Sequence, residues 1–161
     1  MNTAYLLLGA NKGDKFRNME EAFELVEEKA GKCISSSSTY ETAAWGNREQ
    51  PDFLNRVMCI ETLLSPIDLL RTVLLIEEQL GRIRTEEKWQ ERIMDIDILF
   101  YNHEVIDLHE LQVPHPFLHE RKFVLIPLSE IAPQLEHPLL KKTITELLLS
   151  CADELEVKKQ S

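Results

Sequence analysis

The run "FLNRVMCIETLL" (Phe53 to Leu64) restricts the fold more than any other segment. It is long for a strand and, after Arg56, apolar on both faces. Such a strand suits the centre of a sheet covered by layers on both sides. The remaining elements must be built around it. "AYLLLG" (Ala4 to Gly9) reads as a buried strand ending at a glycine turn. Phe16, Met19, Phe23, Val26 and Ala30 recur at helical spacing from Lys15 to about Ala30, and Gly31 is the expected stop. An extended piece follows around Ile34 to Glu41, and Gly46 to Asp52 reads as a loop. In "SPID", Ser65 is an N-cap, Pro66 suits the first helical position and Asp68 completes a pattern like a capping box. Leu69, Leu70, Val73, Ile76 and Leu80 give that helix its apolar face, and Gly81 ends it.

"RIMDIDILFY" (Arg92 to Tyr101) alternates. Met94, Ile96, Ile98 and Phe100 are apolar, with Asp95 and Asp97 between them. Up to Tyr101 the order is strand, helix, strand, strand, helix, strand, the split βαβ or ferredoxin-like order. The expected class is therefore α+β: a βαββαβ core, a mainly antiparallel sheet, helices on one face, and a C-terminal hairpin and helices added nearby. "NHEV" turns the chain into a short strand at Val105 and Ile106, "KTITELLL" (Lys142 to Leu149) is the clearest late helix, and the last charged residues read as frayed. There is no internal repeat, and residues 1–161 are expected to form a single domain with a real core.

Composition narrows the classes. Hydrophobic residues make up 43% and charged residues 29%, as in ordinary soluble chains. No apolar run suffices to cross a bilayer and the start lacks a signal-peptide pattern, so a cytoplasmic protein without a membrane partner is expected. Cys33, Cys59 and Cys151 are scattered and odd in number, which reads as free thiols in a reducing compartment. The net charge of −10 argues against nucleic acid as a partner and requires a local basic cluster for any anionic ligand.

Such a cluster precedes the aspartates. "GRIRTEEKWQER" supplies Arg82, Arg84, Lys88 and Arg92, diluted by Glu86, Glu87 and Glu91. Guanidinium groups match phosphate oxygens in charge and shape. Asp95 and Asp97 share one strand face roughly 6.5–7 Å apart, close enough to converge on a hard cation such as Mg²⁺. Alone, the pair could be a solvent-facing edge and the loop a solvated mixed-charge surface. Adjacent, they form equipment for phosphoryl transfer from a metal-bound nucleotide, and the loop length suits a lid. "GANKG" lacks the phosphate-loop pattern and reads as a tight turn. His115 and His119 are four apart but lack a third zinc ligand at telling spacing; His115 suits a phosphate donor beside the loop. His103, His109 and His137 have no evident partners.

On these residues the chain resembles the 6-hydroxymethyl-7,8-dihydropterin pyrophosphokinase family of folate biosynthesis. The family signature, which ends in Arg, two residues, Asp-aliphatic-Asp and two aliphatics, reads here "KWQERIMDIDIL". "LLLGANKGD", "YETAAWGNREQPDFLN" and "VPHPFLHERKFVLIPLSEIAP" look like the family's opening, pterin loop and C-terminal segment. The resemblance implies transfer of pyrophosphate from ATP to the pterin hydroxymethyl group, with AMP leaving. It also implies Asp95 and Asp97 as ligands of two Mg²⁺ ions, Asp97 helping to remove the hydroxyl proton, and Arg82 and Arg92 stabilising the moving group. Glu77, Arg84, Lys88, Trp89, Ile98, His115 and Arg121 would join Arg92 on ATP. Thr42, Ala43, Trp45 and Asn55 would recognise the pterin edge, with Phe53 and Phe123 sandwiching its ring. The expected state is a monomer.

Several positions depart from the family pattern. Gln90 replaces a small residue, Lys88 a common Arg, and Ala43 and Ala44 prolines found in some members. Leu74 and Glu110 stand where some members contact nucleotide. Two rival classes share parts of the equipment: a ferredoxin-like binding domain without catalysis, and a metal-dependent nuclease or phosphohydrolase.

Overall fold

The computed structural model describes residues 1–42, 52–81 and 93–160. Three long strands make its centre: β1 (Asn2–Ala10), β4 (Phe53–Thr62) and β5 (Asp95–Tyr101). Two short ones, β2 (Lys32–Ser36) and β3 (Tyr40–Thr42), both pair with β4, and β8 (Val157–Lys159) pairs with β3. The sheet order is β5-β1-β4-β3-β8, with every pairing antiparallel. β6 (Ile106–Asp107) and β7 (Gln112–Val113) form a separate antiparallel pair. The helices are α1 (Lys15–Lys29), α2 (Pro66–Gln79), α3 (Lys122–Ile131) and α4 (Ile144–Leu149), with one 3-10 turn at Leu118–Glu120.

The double burial of the central strands decides the layering. Leu6, Leu8, Leu54, Met58 and Ile60 pack with Met19, Ala22 and Val26 of α1 and Leu69, Val73 and Ile76 of α2. The alternate residues Leu7 and Val57 pack on the other face with Val124, Leu125 and Leu128 of α3 and Ile144 and Leu147 of α4. The two core helices, α1 and α2, thus share one face as expected, and the added C-terminal helices take the other. α3 and α4 form a second layer, because a strand apolar on both faces leaves Leu7 and Val57 in water unless something covers them.

Local signals mostly act as expected. The Ser65 hydroxyl accepts from the Asp68 amide at 3.2 Å, and Thr143 and Glu146 form a reciprocal capping box on α4. Gly31 follows the end of α1 for a different reason than a left-handed cap. A Cβ there would lie 2.1 Å from the Glu61 carbonyl oxygen, so glycine permits close approach to β4. Gly9 is not a turn residue; β1 runs through it to Ala10. The C-terminal residues are not frayed either, since Val157–Lys159 pair with Thr42, Glu41 and Tyr40.

β5 departs from simple alternation. Ile98 pairs with Leu6 and Phe100 with Tyr5, so Leu99 is an extra residue, a β-bulge. Ile96 and Ile98 face α1 and α2, whereas Phe100 is turned onto the α3 side, where it packs edge-on against Tyr5. The reading that placed Phe100 on the face of Ile96 is corrected by that one residue.

His137 has a structural role. It is buried, stacks edge-on with Phe100, and its Nδ1 accepts from the amides of Leu139 and Leu140 at 3.2 and 3.1 Å. Burial, then the nearby His119, pushes its pKa below the ordinary 6.5. An unfolded chain therefore takes up a proton in a range where the native ring does not. Stability should fall as pH drops below that ordinary value and level off below the lowered native one. Thermal unfolding between about pH 8 and 5 should show this slope. His137→Asn, which keeps an acceptor but cannot titrate, should make it shallower.

Candidate active site

A cavity of about 630 Å³ opens on the α3 side of the sheet, beyond the reach of the helix layer. Its floor is Leu7 and Gly9 of β1, Phe53 and Asn55 of β4, Thr42 of β3, and Asp95 and Asp97 of β5. Its wall is Glu120, Arg121, Phe123, Asp153 and Leu155. Volume and mixed lining suit a small organic ligand.

Register assembles this floor. Gly9 pairs with Asn55 on one side and Asp95 on the other, so the three form one row across the strands. Leu7 pairs with Val57 and Asp97 in the next row. Strands about 4.8 Å apart put Asp95 and Asn55 roughly 10 Å from each other, with only glycine between. A Cβ at Gly9 would meet the Asn55 Oδ1 at 3.0 Å, so this glycine keeps the centre of the floor clear. Asn55 and Thr42 are buried polar residues here. The Thr42 hydroxyl oxygen has no hydrogen-bond partner among the described residues, which leaves it available to a ligand.

Both aspartates are half-buried and point to the cavity, while Ile96 and Ile98 fill the core behind. Two carboxylates on adjacent same-face positions repel unless positive charge lies between or beside them. Among the described residues there is no group of three or more His, Cys, Asp or Glu able to enclose a metal ion. A pair of oxygen donors open to a cavity instead fits Mg²⁺, which keeps coordination positions for water and phosphate. Arg121 reaches the same cavity, its guanidinium 5.4 Å from the Phe117 ring and 5.7 Å from the Phe123 ring.

His115 stands near both groups. Its pKa is lowered chiefly by burial; Asp97 opposes that shift and Arg121 adds to it. Its Nδ1 faces the Phe117 amide at 3.4 Å, an assignment that leaves Nε2–H as donor in the neutral ring. Ile98 is not brought to the cavity, since its side chain lies in the opposite core. Glu77 is not the exposed helix glutamate that its position on α2 allows. It is buried, and its Oε2 accepts the Ile96 amide at 2.8 Å. The carboxylate thus holds the strand between the two aspartates from behind.

Arg82, Arg84, Lys88, Trp89, Gln90 and Arg92, with the lid expectation, lie outside the described residues, as do Ala43, Ala44 and Trp45. The sequence reading missed Leu7, Gly9, Glu120, Asp153 and Leu155. Gly9 carried a signal, because glycine inside a strand pattern marks close approach as readily as a turn.

The fold and site define an α/β protein with a small-molecule cavity at the end of an antiparallel sheet, a carboxylate pair on one side and aromatic rings on the other. A sequence model of the 7,8-dihydro-6-hydroxymethylpterin-pyrophosphokinase family matches residues 5–133, and the chain belongs to that family. The 2-amino-4-hydroxy-6-hydroxymethyldihydropteridine pyrophosphokinase of Aquifex aeolicus is 42% identical, over 91% of this chain and 90% of that one. Its Haemophilus influenzae counterpart is 38% identical over 98% of both. The folic acid synthesis protein FOL1 of Dictyostelium discoideum is 40% identical, and the chain spans only 22% of its length. The same fold occurs in a Plasmodium falciparum HPPK-DHPS triple mutant, with a TM-score of 0.75 at 20% identity, covering 92% of this chain and 43% of that one.

The Glu77 contact can be tested directly. Glu77→Ala leaves the buried Ile96 amide without its acceptor and should cost about 1–3 kcal/mol in denaturant unfolding. Glu77→Gln keeps an acceptor and should cost less, and amide exchange at Ile96 should rank the variants in the same order.

Proposed function

We propose that the protein transfers the pyrophosphoryl group of ATP to the hydroxymethyl oxygen of 6-hydroxymethyl-7,8-dihydropterin, as a step in folate biosynthesis. The observation that carries this reading is the single cavity whose floor holds Asp95 and Asp97 at one side and Phe53, Asn55 and Thr42 at the other, with Phe123 in its wall. A flat bicyclic ring fits between Phe53 and Phe123, and the Asn55 amide offers a donor and an acceptor to its polar edge. The hydroxymethyl arm then points along the Gly9 row toward the aspartates.

The hydroxyl oxygen attacks the β-phosphorus of ATP. A carbon–oxygen–phosphorus ester forms, the bond from the β-phosphorus to the α,β-bridging oxygen breaks, and AMP leaves with that oxygen. The hydroxyl proton departs by way of Asp97. Two Mg²⁺ ions, held by Asp95 and Asp97, would neutralise phosphate charge. Arg82 and Arg92 stabilise charge that builds on the moving group, while Arg84, Lys88 and Trp89 hold the nucleotide. His115 and Arg121 contact phosphate from the α3 side, whereas Glu77, bonded to the Ile96 amide, and Ile98, in the opposite core, brace the strand that carries the aspartates. The backbone at Thr42, Ala43 and Trp45 completes pterin recognition. The strand order β5-β1-β4-β3 supports a ferredoxin-like core within a single domain, and a cytoplasmic monomer is the simplest form of such an enzyme.

Adding the reduced hydroxymethylpterin to protein, ATP and Mg²⁺ should release AMP. No AMP above background would end this reading, and pterin-independent release of phosphate would favour a phosphohydrolase. Asp97→Ala should lower turnover by at least roughly 10²–10³-fold with the fold retained by circular dichroism. Arg92→Ala should lower kcat far more than it weakens pterin binding, because its contact strengthens as charge moves. An effect confined to pterin affinity would contradict that role.

A further inference from the structure

The match to the family's sequence model ends at residue 133, and the segment after α4, beyond that match, forms part of the cavity wall. From 151 to 157 burial alternates. Cys151, Asp153, Leu155 and Val157 are half-buried, and Ala152, Glu154 and Glu156 are exposed. That period of two belongs to an extended segment lying along a surface. The segment leaves α4, passes Arg121 and Phe123, and joins β3 as β8, where Val157 pairs with Thr42.

Asp153 joins two parts of this wall. Its Oδ2 accepts the Lys122 amide at 3.0 Å and its Oδ1 the Leu155 amide at 2.9 Å. α3 begins at Lys122, and its own N-cap residue, Arg121, supplies no side-chain acceptor. Asp153 therefore caps α3 from 31 residues away, satisfying an amide the helix leaves open and adding negative charge at its N-terminus. The capped amide lies between Arg121 and Phe123, both of which line the cavity. Leu155, set by the second bond, lines it too. The segment arrives over β3, three strands from the aspartates on β5, roughly 14 Å across the sheet.

We propose that the tail is a specificity element of the pterin end of the cavity. Leu155 is an apolar wall against the ring, and Asp153 is a positioning residue that holds Arg121 and Phe123 through the start of α3. This deepens the function proposed above and rests on it.

The test measures AMP release by the full chain with Mg²⁺, ATP and reduced hydroxymethylpterin, together with pterin titration in the presence of a non-hydrolysable ATP analogue. Leu155→Ala should raise the pterin KM and Kd about tenfold while the ATP KM stays within about twofold. Asp153→Ala should raise the pterin KM and lower kcat, and Asp153→Asn, which keeps an acceptor for the Lys122 amide, should recover most of both. Glu154→Ala, outward on the same segment, should leave all constants within about twofold. Circular dichroism and melting establish that each variant is folded, and Leu155→Ala decides alone if Asp153→Ala is not. In Leu155→Ala, pterin constants that do not move, or ATP and pterin constants that rise together, would overturn the proposal. A parent protein that releases no AMP refutes the pyrophosphokinase reading itself, whereas an active parent with indifferent tail variants refutes only the role of the tail.

Discussion

The burial of Ile96 and Ile98 is the constraint on which the cavity depends. Both belong to the core beneath α1 and α2. Full burial of each is worth about 1.5–3 kcal/mol. Because strand side chains alternate, that burial drives the carboxylates of Asp95 and Asp97 to the other face, and a one-residue slip against β1 would exchange the two sets. The bulge at Leu99 then reverses the alternation, so Phe100 fills the α3 layer on the face where the aspartates lie. One strand thus lines a polar cavity at one end and an apolar interface at the other.

The second helix layer creates the cavity by ending early. α3 and α4 cover Leu7, Val57 and Leu99, but not the row of Asp95, Gly9 and Asn55. What closes that end is thin: the Arg121 and Phe123 segment and the extended tail. Glu130 on α3 ties this layer to the sheet, accepting from the Tyr40 hydroxyl at 2.6 Å and the Ser38 hydroxyl at 2.7 Å. Burial and then that carboxylate push the Tyr40 pKa up to about 12, so the phenol remains a donor at ordinary pH. Tyr40 lies two residues before Thr42, which places this tie close to the cavity floor.

Much of this was legible in the residues because local and tertiary preferences agree. The apolar double face of Phe53–Thr62 announced a central strand, Ser65 announced a helix start, and the motif around Asp95 and Asp97 announced the family. The same double face also implied cover on both sides, and the added C-terminal helices supply the second cover. Other features depended on partners distant in sequence. Nothing near Glu77 shows that it will cap Ile96, and nothing near Asp153 shows that it will cap α3. Gly9 and the bulge are products of pairing register, and register is a property of two strands, never of one.

β8 has a consequence beyond the cavity. Without it, β3 would end the sheet with a row of unsatisfied amides and carbonyls, an invitation to pair with any other extended chain. β8 occupies that row and presents Lys158 and Lys159 outward, both exposed. Lysines on a rim strand discourage further strand addition by charge and by the cost of stripping their water. The final residues therefore guard colloidal behaviour: a chain clipped before Val157 would be prone to self-association through its bared rim, even with its central strands intact.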